Sequence, residues 1–127
     1  MGERMRVLVC GGRDFADVDA VNRELDRIHA RTPISCIIEG GARGADYLAS
    51  RWSARNDISE HARFPADWTL HGKRAGPIRN QRMIDQGKPD LVVAFPGGSG
   101  TADMITRAKL AGLRVVVVGV NSCSEAA

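Results

Sequence analysis

The feature that most restricts this chain is the placement of its glycines: short apolar runs end in glycine turns, and each turn opens into a segment of helical periodicity. Met5-Arg6-Val7-Leu8-Val9-Cys10 runs into Gly11-Gly12-Arg13-Asp14, after which Val18, Val21, Leu25 and Ile28 recur at spacings of three and four. That pattern predicts a buried strand followed by an amphipathic helix. Pro33 closes the helix, Ile34 to Ile38 predict a second buried strand, and Glu39-Gly40-Gly41 end it. Ala45, Leu48, Ala49 and Trp52 form the next helical face.

Farther on, Ile58 to Phe64 predicts a weaker, more polar strand of the kind found at a sheet edge, and Pro65 opens a loop running through Trp68 and His71 to Gly76. A helix is expected from about Pro77 to Gln86, with proline in its first turn and Gly87 at its end. Leu91 to Phe95 predicts a buried strand, Thr101 to Ala111 a helix closed by Gly112, and Arg114 to Val118 a last strand. The tail from 120 to 127 is expected to be flexible.

Strands alternating with helices of about 10 to 15 residues predict βαβ units. The fold class is α/β: a single Rossmann-like domain, with a parallel five-stranded sheet and helices on both faces. At 127 residues and 43% hydrophobic content, residues 1–127 form one domain with a core from about 5 to 119. Ligands of such sheets bind beyond the carboxyl ends of the strands where the strand order reverses, commonly between the first and fourth strands.

Three glycine turns occupy those ends: Gly11-Gly12-Arg13-Asp14, Gly40-Gly41-Ala42-Arg43-Gly44-Ala45-Asp46, and Pro96-Gly97-Gly98-Ser99-Gly100-Thr101. Without a Cβ, backbone N–H groups approach an anion closely, and the following helix adds unpaired N–H groups and partial positive charge. Each turn taken alone is also compatible with a tight connection and no ligand. Thr101 either caps its helix or donates its hydroxyl to a phosphate, and Asp14 and Asp46 either bind ribose hydroxyls or cap the helices that follow them.

Arg13, Arg43 and Arg79 are the preferred phosphate-binding cations, because a guanidinium fork matches phosphate oxygens. Arg82 is expected on the outer face of its helix. Trp68, His71, Lys73 and Arg74 place a ring and cations on a loop of the kind that closes over ligands. His71 reads equally as an exposed loop residue, and His29 and His61 as surface residues.

Several classes are disfavoured. No G-x-x-x-x-G-K-[ST] loop is present, and Gly98-Ser99-Gly100 lacks the third glycine of the dinucleotide fingerprint. No apolar run approaches the roughly 18 residues of a membrane span, and the N-terminus leads into a strand without a signal-type stretch, so a soluble cytoplasmic protein with no membrane partner is expected. Cys10, Cys36 and Cys123 form no C-x-x-C pair, and no histidines have metal-ligand spacing, so neither a metal nor a separate cofactor is expected. Cys10 and Cys36 read as buried hydrophobes. The net charge of +3 and the basic stretch Lys73, Arg74, Arg79, Arg82 favour an anionic partner, but 5% aromatics weaken a nucleic-acid reading.

Four motifs in order, Val9-Cys10-Gly11-Gly12-Arg13-Asp14-Phe15, Gly40 to Asp46, Arg79-Asn80-Gln81-Arg82-Met83, and Pro96 to Thr101, resemble the SLOG superfamily, named for the Smf/DprA and LOG proteins. Within it the chain is similar to the small YspA-like branch. The resemblance covers nearly the whole chain and implies a Rossmann-like fold that binds or senses a nucleotide or nucleotide-derived phosphorylated ligand. It further implies a homodimer or larger homo-oligomer.

The LOG members of that superfamily are phosphoribohydrolases, which split the N-glycosidic bond of nucleoside 5′-monophosphates. Their Arg-Lys-x-x-Met segment resembles Arg79 to Met83 with Asn80 in the lysine position, and their P-G-G-x-G-T-x-x-E turn resembles Pro96 to Met104 with Met104 in the glutamate position. A thioether cannot stabilise the positive charge that develops on the ribose as a carboxylate does. Asp103, about 100° away on the helix, and Asp46 and Asp14 are alternative carboxylates. Arg79, Asp103 and Asp46 are the catalytic candidates of a hydrolase; a binding module is the first expectation, the hydrolase the alternative, and a nucleic-acid binder the third.

Overall fold

The computed structural model describes residues 4–119. The expectations for the tail and for Cys123 lie outside the described residues. Five strands, β1 Met5–Cys10, β2 Ile34–Glu39, β3 Glu60–Arg63, β4 Leu91–Ala94 and β5 Arg114–Val117, pair in the order β3-β2-β1-β4-β5, all parallel. Between them run α1 Val18–Arg31, α2 Ala45–Arg55, α3 Trp68–His71, α4 Ala75–Asp85 and α5 Ser99–Leu110.

Because successive strand side chains point to opposite faces, the central strands are apolar at every position from Val7 to Val9 and sort their residues into two cores. Val7, Val9, Ile37, Leu91 and Val93 pack with Val21 and Leu25 of α1 and Ala49 and Trp52 of α2. Leu8, Cys10, Cys36, Ile38 and Val92 pack on the other face with Met83 of α4 and Met104 and Ala108 of α5. Each fully buried large side chain contributes about 1.5–3 kcal/mol. Helices therefore cover both faces, and Cys10 and Cys36 are free, buried thiols. Strand β3 is indeed a polar edge. Among the described residues no helix is long and apolar enough to cross a membrane.

Three local expectations are corrected. The segment after Pro65 is helical: Asp67 caps α3 by accepting from Leu70 N at 3.0 Å, a 3-10 turn follows at Gly72–Arg74, and α4 begins at Ala75. Such a short helix buries none of its side chains, so it leaves no hydrophobic period to detect. Pro77 still fits the first turn of α4, where its missing N–H costs nothing. Helix α5 starts at Ser99 with Gly98 as its N-cap, so Thr101 is not the cap. Gly87 does stand at the end of α4, just past the cap Gln86, and Lys88 after it is left-handed. His29 is half-buried: its Nδ1 accepts from Ile34 N at 2.9 Å, and its ring meets Trp52 edge-on at 5.5 Å.

The strand order turns back between β1 and β4, whose carboxyl ends therefore diverge into helices on opposite faces. A crevice opens there, as the topology requires.

Candidate functional site

The crevice has a floor built by the contact of two glycine turns. Gly12 N donates to Pro96 O at 2.9 Å, and a Cβ on Gly97 would stand 2.2 Å from Thr101 Oγ1 and 2.6 Å from Gly12 N, so only glycine permits this approach. Above it lies a cleft of about 730 Å³, within the range of small-molecule sites. Of the residues singled out in the sequence, Gly11, Gly12, Arg13, Asp46, Arg79, Asn80, Asp103 and the run Gly98 to Thr101 line it.

The turn after β4 presents its backbone to this cleft. Gly98 makes no side-chain cap, and the first intrahelical bond is Ala102 N to Gly98 O at 3.0 Å. The N–H groups of Ser99, Gly100 and Thr101 have no protein acceptor among the described residues. A Cβ on Gly98 or Gly100 would meet nothing within 4 Å, so the space over this turn is open. Thr101 itself is buried, its hydroxyl set against Gly97.

The turn after β2 behaves differently. Asp46 turns back from the first turn of α2 and accepts from Gly40 N at 3.1 Å and Ala42 N at 3.2 Å, while Gly41 N donates to Glu39 Oε1 at 2.5 Å. The first three donors of this turn are satisfied by the neighbouring carboxylates. Gly44 packs against the backbone of Gly12 and Arg13. Asp14, offered in the sequence as a cap, is exposed beside Arg43 at 3.5 Å, and α1 is capped by Asp17, which accepts from Ala20 N at 3.0 Å. Gly40, Gly41 and Arg43 border a side lobe of about 300 Å³.

Arg79, on α4, reaches across to donate from Nη1 to Gly40 O at 2.7 Å and to Phe64 O at 3.4 Å. A Cβ on Gly40 would fall 2.2 Å from that Nη1, so glycine just past β2 lets the guanidinium reach the backbone carbonyl. Burial lowers the Arg79 pKa, Asp46 opposes the shift and Arg13 reinforces it. Asn80, buried, donates from Nδ2 to Gly100 O at 3.1 Å and to Asp103 Oδ2 at 3.0 Å, fastening α4 to the first turn of α5. Asp103 also accepts from Arg107 at 2.7 Å; burial opposes ionisation, but the bonds from Arg107 and Asn80 outweigh it and hold its carboxyl below the usual range.

Burial pushes the Asp46 carboxyl up to about 6, against the hydrogen bond from Ala42 N, which lowers it. Cys10 lies on the cleft floor, but burial pushes its thiol up to about 12, so it stays protonated near neutral pH. Met104 is completely buried in the core between the sheet and α4.

The sequence did not single out Glu39, which is 1% exposed at the end of β2 and holds Arg63 and His61, each at 2.7 Å. Its only sequence signal was a carboxylate inside an apolar strand pattern. His61 is exposed, as expected, though bound to that carboxylate. Arg82 lies on the exposed outer face of α4, its guanidinium 5.6 Å from the Phe64 ring. Trp68 and Lys73 line the cleft from α3 and the 3-10 turn, with the Arg13 guanidinium 5.4 Å from the Trp68 ring.

Residues 5–71, which span β1 through α3 and the first two glycine turns, match the model of the family described as "YspA, cpYpsA-related SLOG family". The chain belongs to that family. The chain is also similar to the "Gene 61 protein" of Mycobacterium phage D29, 40% identical over 124 residues, covering 90% of this chain and 96% of the phage protein. The matched stretch of the family model ends before Arg79 and the β4 turn. The long alignment with the phage protein extends well beyond it.

Proposed function

We propose that this chain binds a nucleotide or nucleotide-derived phosphorylated ligand in the cleft between the ends of β1 and β4, with a phosphate on the start of α5. What carries the reading is the uncapped first turn of α5: three N–H groups have no protein acceptor among the described residues, in a turn that lines the cleft and is open at Gly98 and Gly100. A helix N-terminus of this kind attracts an anion through both its unpaired donors and its dipole. Arg13 and Lys73 line the same cleft and add formal positive charge. Membership of the SLOG family supports a nucleotide-related ligand over a simple anion. Trp68, half-exposed in the lining of the cleft, is available to a base.

Calorimetric titration with AMP, ADP-ribose and cyclic AMP tests the proposal. Saturable binding of at least one is expected; no heat from any of them at millimolar concentration overturns it.

One observation favours a second reading, a phosphoribohydrolase. Asp46 and Asp103 both line the cleft, and Asp46, pushed up to about 6, titrates where a general acid or base works near neutral pH. Incubation with AMP should then release free adenine, detected chromatographically, and Asp46→Asn should abolish it. Absence of adenine at high protein concentration leaves only the binding function.

A further inference from the structure

The side lobe next to the cleft has a different chemistry from the cleft itself. The two spaces are continuous through shared walls at Arg13, Ala42, Trp68 and Arg79. The cleft mixes cations with the carboxylates of Asp46 and Asp103, whereas the lobe is bordered by the guanidinium groups of Arg13, Arg43 and Arg79 and by no carboxylate.

Resting on the reading that α5 holds one phosphate, we propose that this lobe is a second anion subsite and that the ligand is a nucleotide carrying two phosphates. The N–H groups of Gly40, Gly41 and Ala42 are taken by Asp46 and Glu39. Recognition here rests chiefly on the side chains. Arg13 and Arg79 have no carboxylate within ion-pair distance among the described residues, although they lie close enough for the charge of one to disfavour that of the other. The Trp68 ring under Arg13 orients that guanidinium without neutralising it.

Arg43 contacts Asp14 only at 3.5 Å, with the two side chains 75% and 96% exposed, so that pair offers little competition. Arg13 and Arg43 offer guanidinium forks to the oxygens of a terminal phosphate, and Arg79, whose Nε and Nη1 donate to Asn80, Gly40 and Phe64, adds its Nη2.

The second phosphate can be part of a 5′-diphosphate or sit on the 3′ oxygen of the ribose. Calorimetric titration of the full chain with AMP, ADP and adenosine 3′,5′-bisphosphate separates these sources. One of the two-phosphate probes should bind at least about tenfold tighter than AMP, the gain of one charge-assisted contact. In Arg43→Ala, which removes a largely exposed side chain and should fold normally, that advantage over AMP should shrink by about tenfold, with Arg43→Lys intermediate. Equal affinity for all three nucleotides in the parent chain overturns the second subsite while leaving the α5 phosphate site standing. An advantage that survives Arg43→Ala intact also overturns it. If none of the three binds, the α5 reading fails and this inference fails with it.

Discussion

Replacing Gly98 by aspartate should strengthen the fold and destroy ligand binding at once, and these opposed signs make it the most discriminating perturbation of this protein. Gly98 is the N-cap of α5, and a Cβ there meets nothing within 4 Å, so the substitution fits without displacing an atom. An aspartate at this position reaches the N–H groups of Gly100 and Thr101, two donors with no protein acceptor among the described residues. Relative to glycine such a cap adds a few tenths of a kcal/mol, and a negative charge at the positive end of the helix adds about 0.3–1 kcal/mol more. The sum, roughly 0.5–1 kcal/mol, raises the Tm by about 2–5 °C for a domain of this size.

The same carboxylate takes the place assigned to a phosphate. Losing two charge-assisted hydrogen bonds at about 1.5 kcal/mol each costs roughly 3 kcal/mol, or about 150-fold in affinity, before any charge repulsion is counted. Thermal unfolding and calorimetric titration with AMP, performed on the same preparations, read both effects. Unchanged AMP affinity in a variant with a raised Tm places the phosphate elsewhere and refutes the reasoning. A lowered Tm contradicts the open, uncapped geometry of the turn.

Asp46 makes a pH prediction. Its folded pKa of about 6 lies above the ordinary carboxylate value of 3.8, so the folded state holds its proton more tightly than the unfolded chain does. Its contribution is therefore most favourable below about pH 4 and is lost as pH rises through about 6, a change of roughly 3 kcal/mol. Asp46→Asn should remove this slope from the stability profile measured by urea unfolding, and an unchanged difference between pH 4 and pH 7 would contradict the burial of that carboxyl. Met104→Glu, which restores the glutamate of the LOG pattern, should lower stability by about 3 kcal/mol or more, because it buries an unpaired carboxylate. Release of adenine from AMP by a stable Met104→Glu protein would show that position to face the cleft. Gly40→Ala should push the Arg79 guanidinium off Gly40 O, at a modest cost of about 1 kcal/mol, and weaken AMP binding. A variant with AMP affinity equal to the parent would remove Arg79 from the site.

The strands and most of the helices were legible because burial on both faces demands an uninterrupted apolar run, as in Val7 to Val9 or Val92 to Phe95, and one-sided burial demands the spacing seen in Val21, Leu25 and Ile28. The polar edge β3 was legible for the opposite reason. Helix α3 was not, since a segment that buries nothing carries no period. The caps were ambiguous because Asp14, Asp17 and Asp46 all stand near helix starts, and composition cannot say which carboxylate turns toward which N–H.

That ambiguity governs the site. The three glycine turns are equivalent in sequence, and the alternation of strand and helix alone sends them to one edge of the sheet. Tertiary structure made them different: it folded Asp46 and Glu39 onto the first three donors of the second turn, locked the first against Pro96, and left the N–H groups at 99–101 in the third without a protein acceptor. It likewise sent Met104 into the core and Asp103 to the cleft wall. Local periodicity is set by which residues avoid water, and a chain carries that information in its order. Which donor remains unpaired depends on the distances between segments far apart in the chain, and those exist only once the sheet has closed.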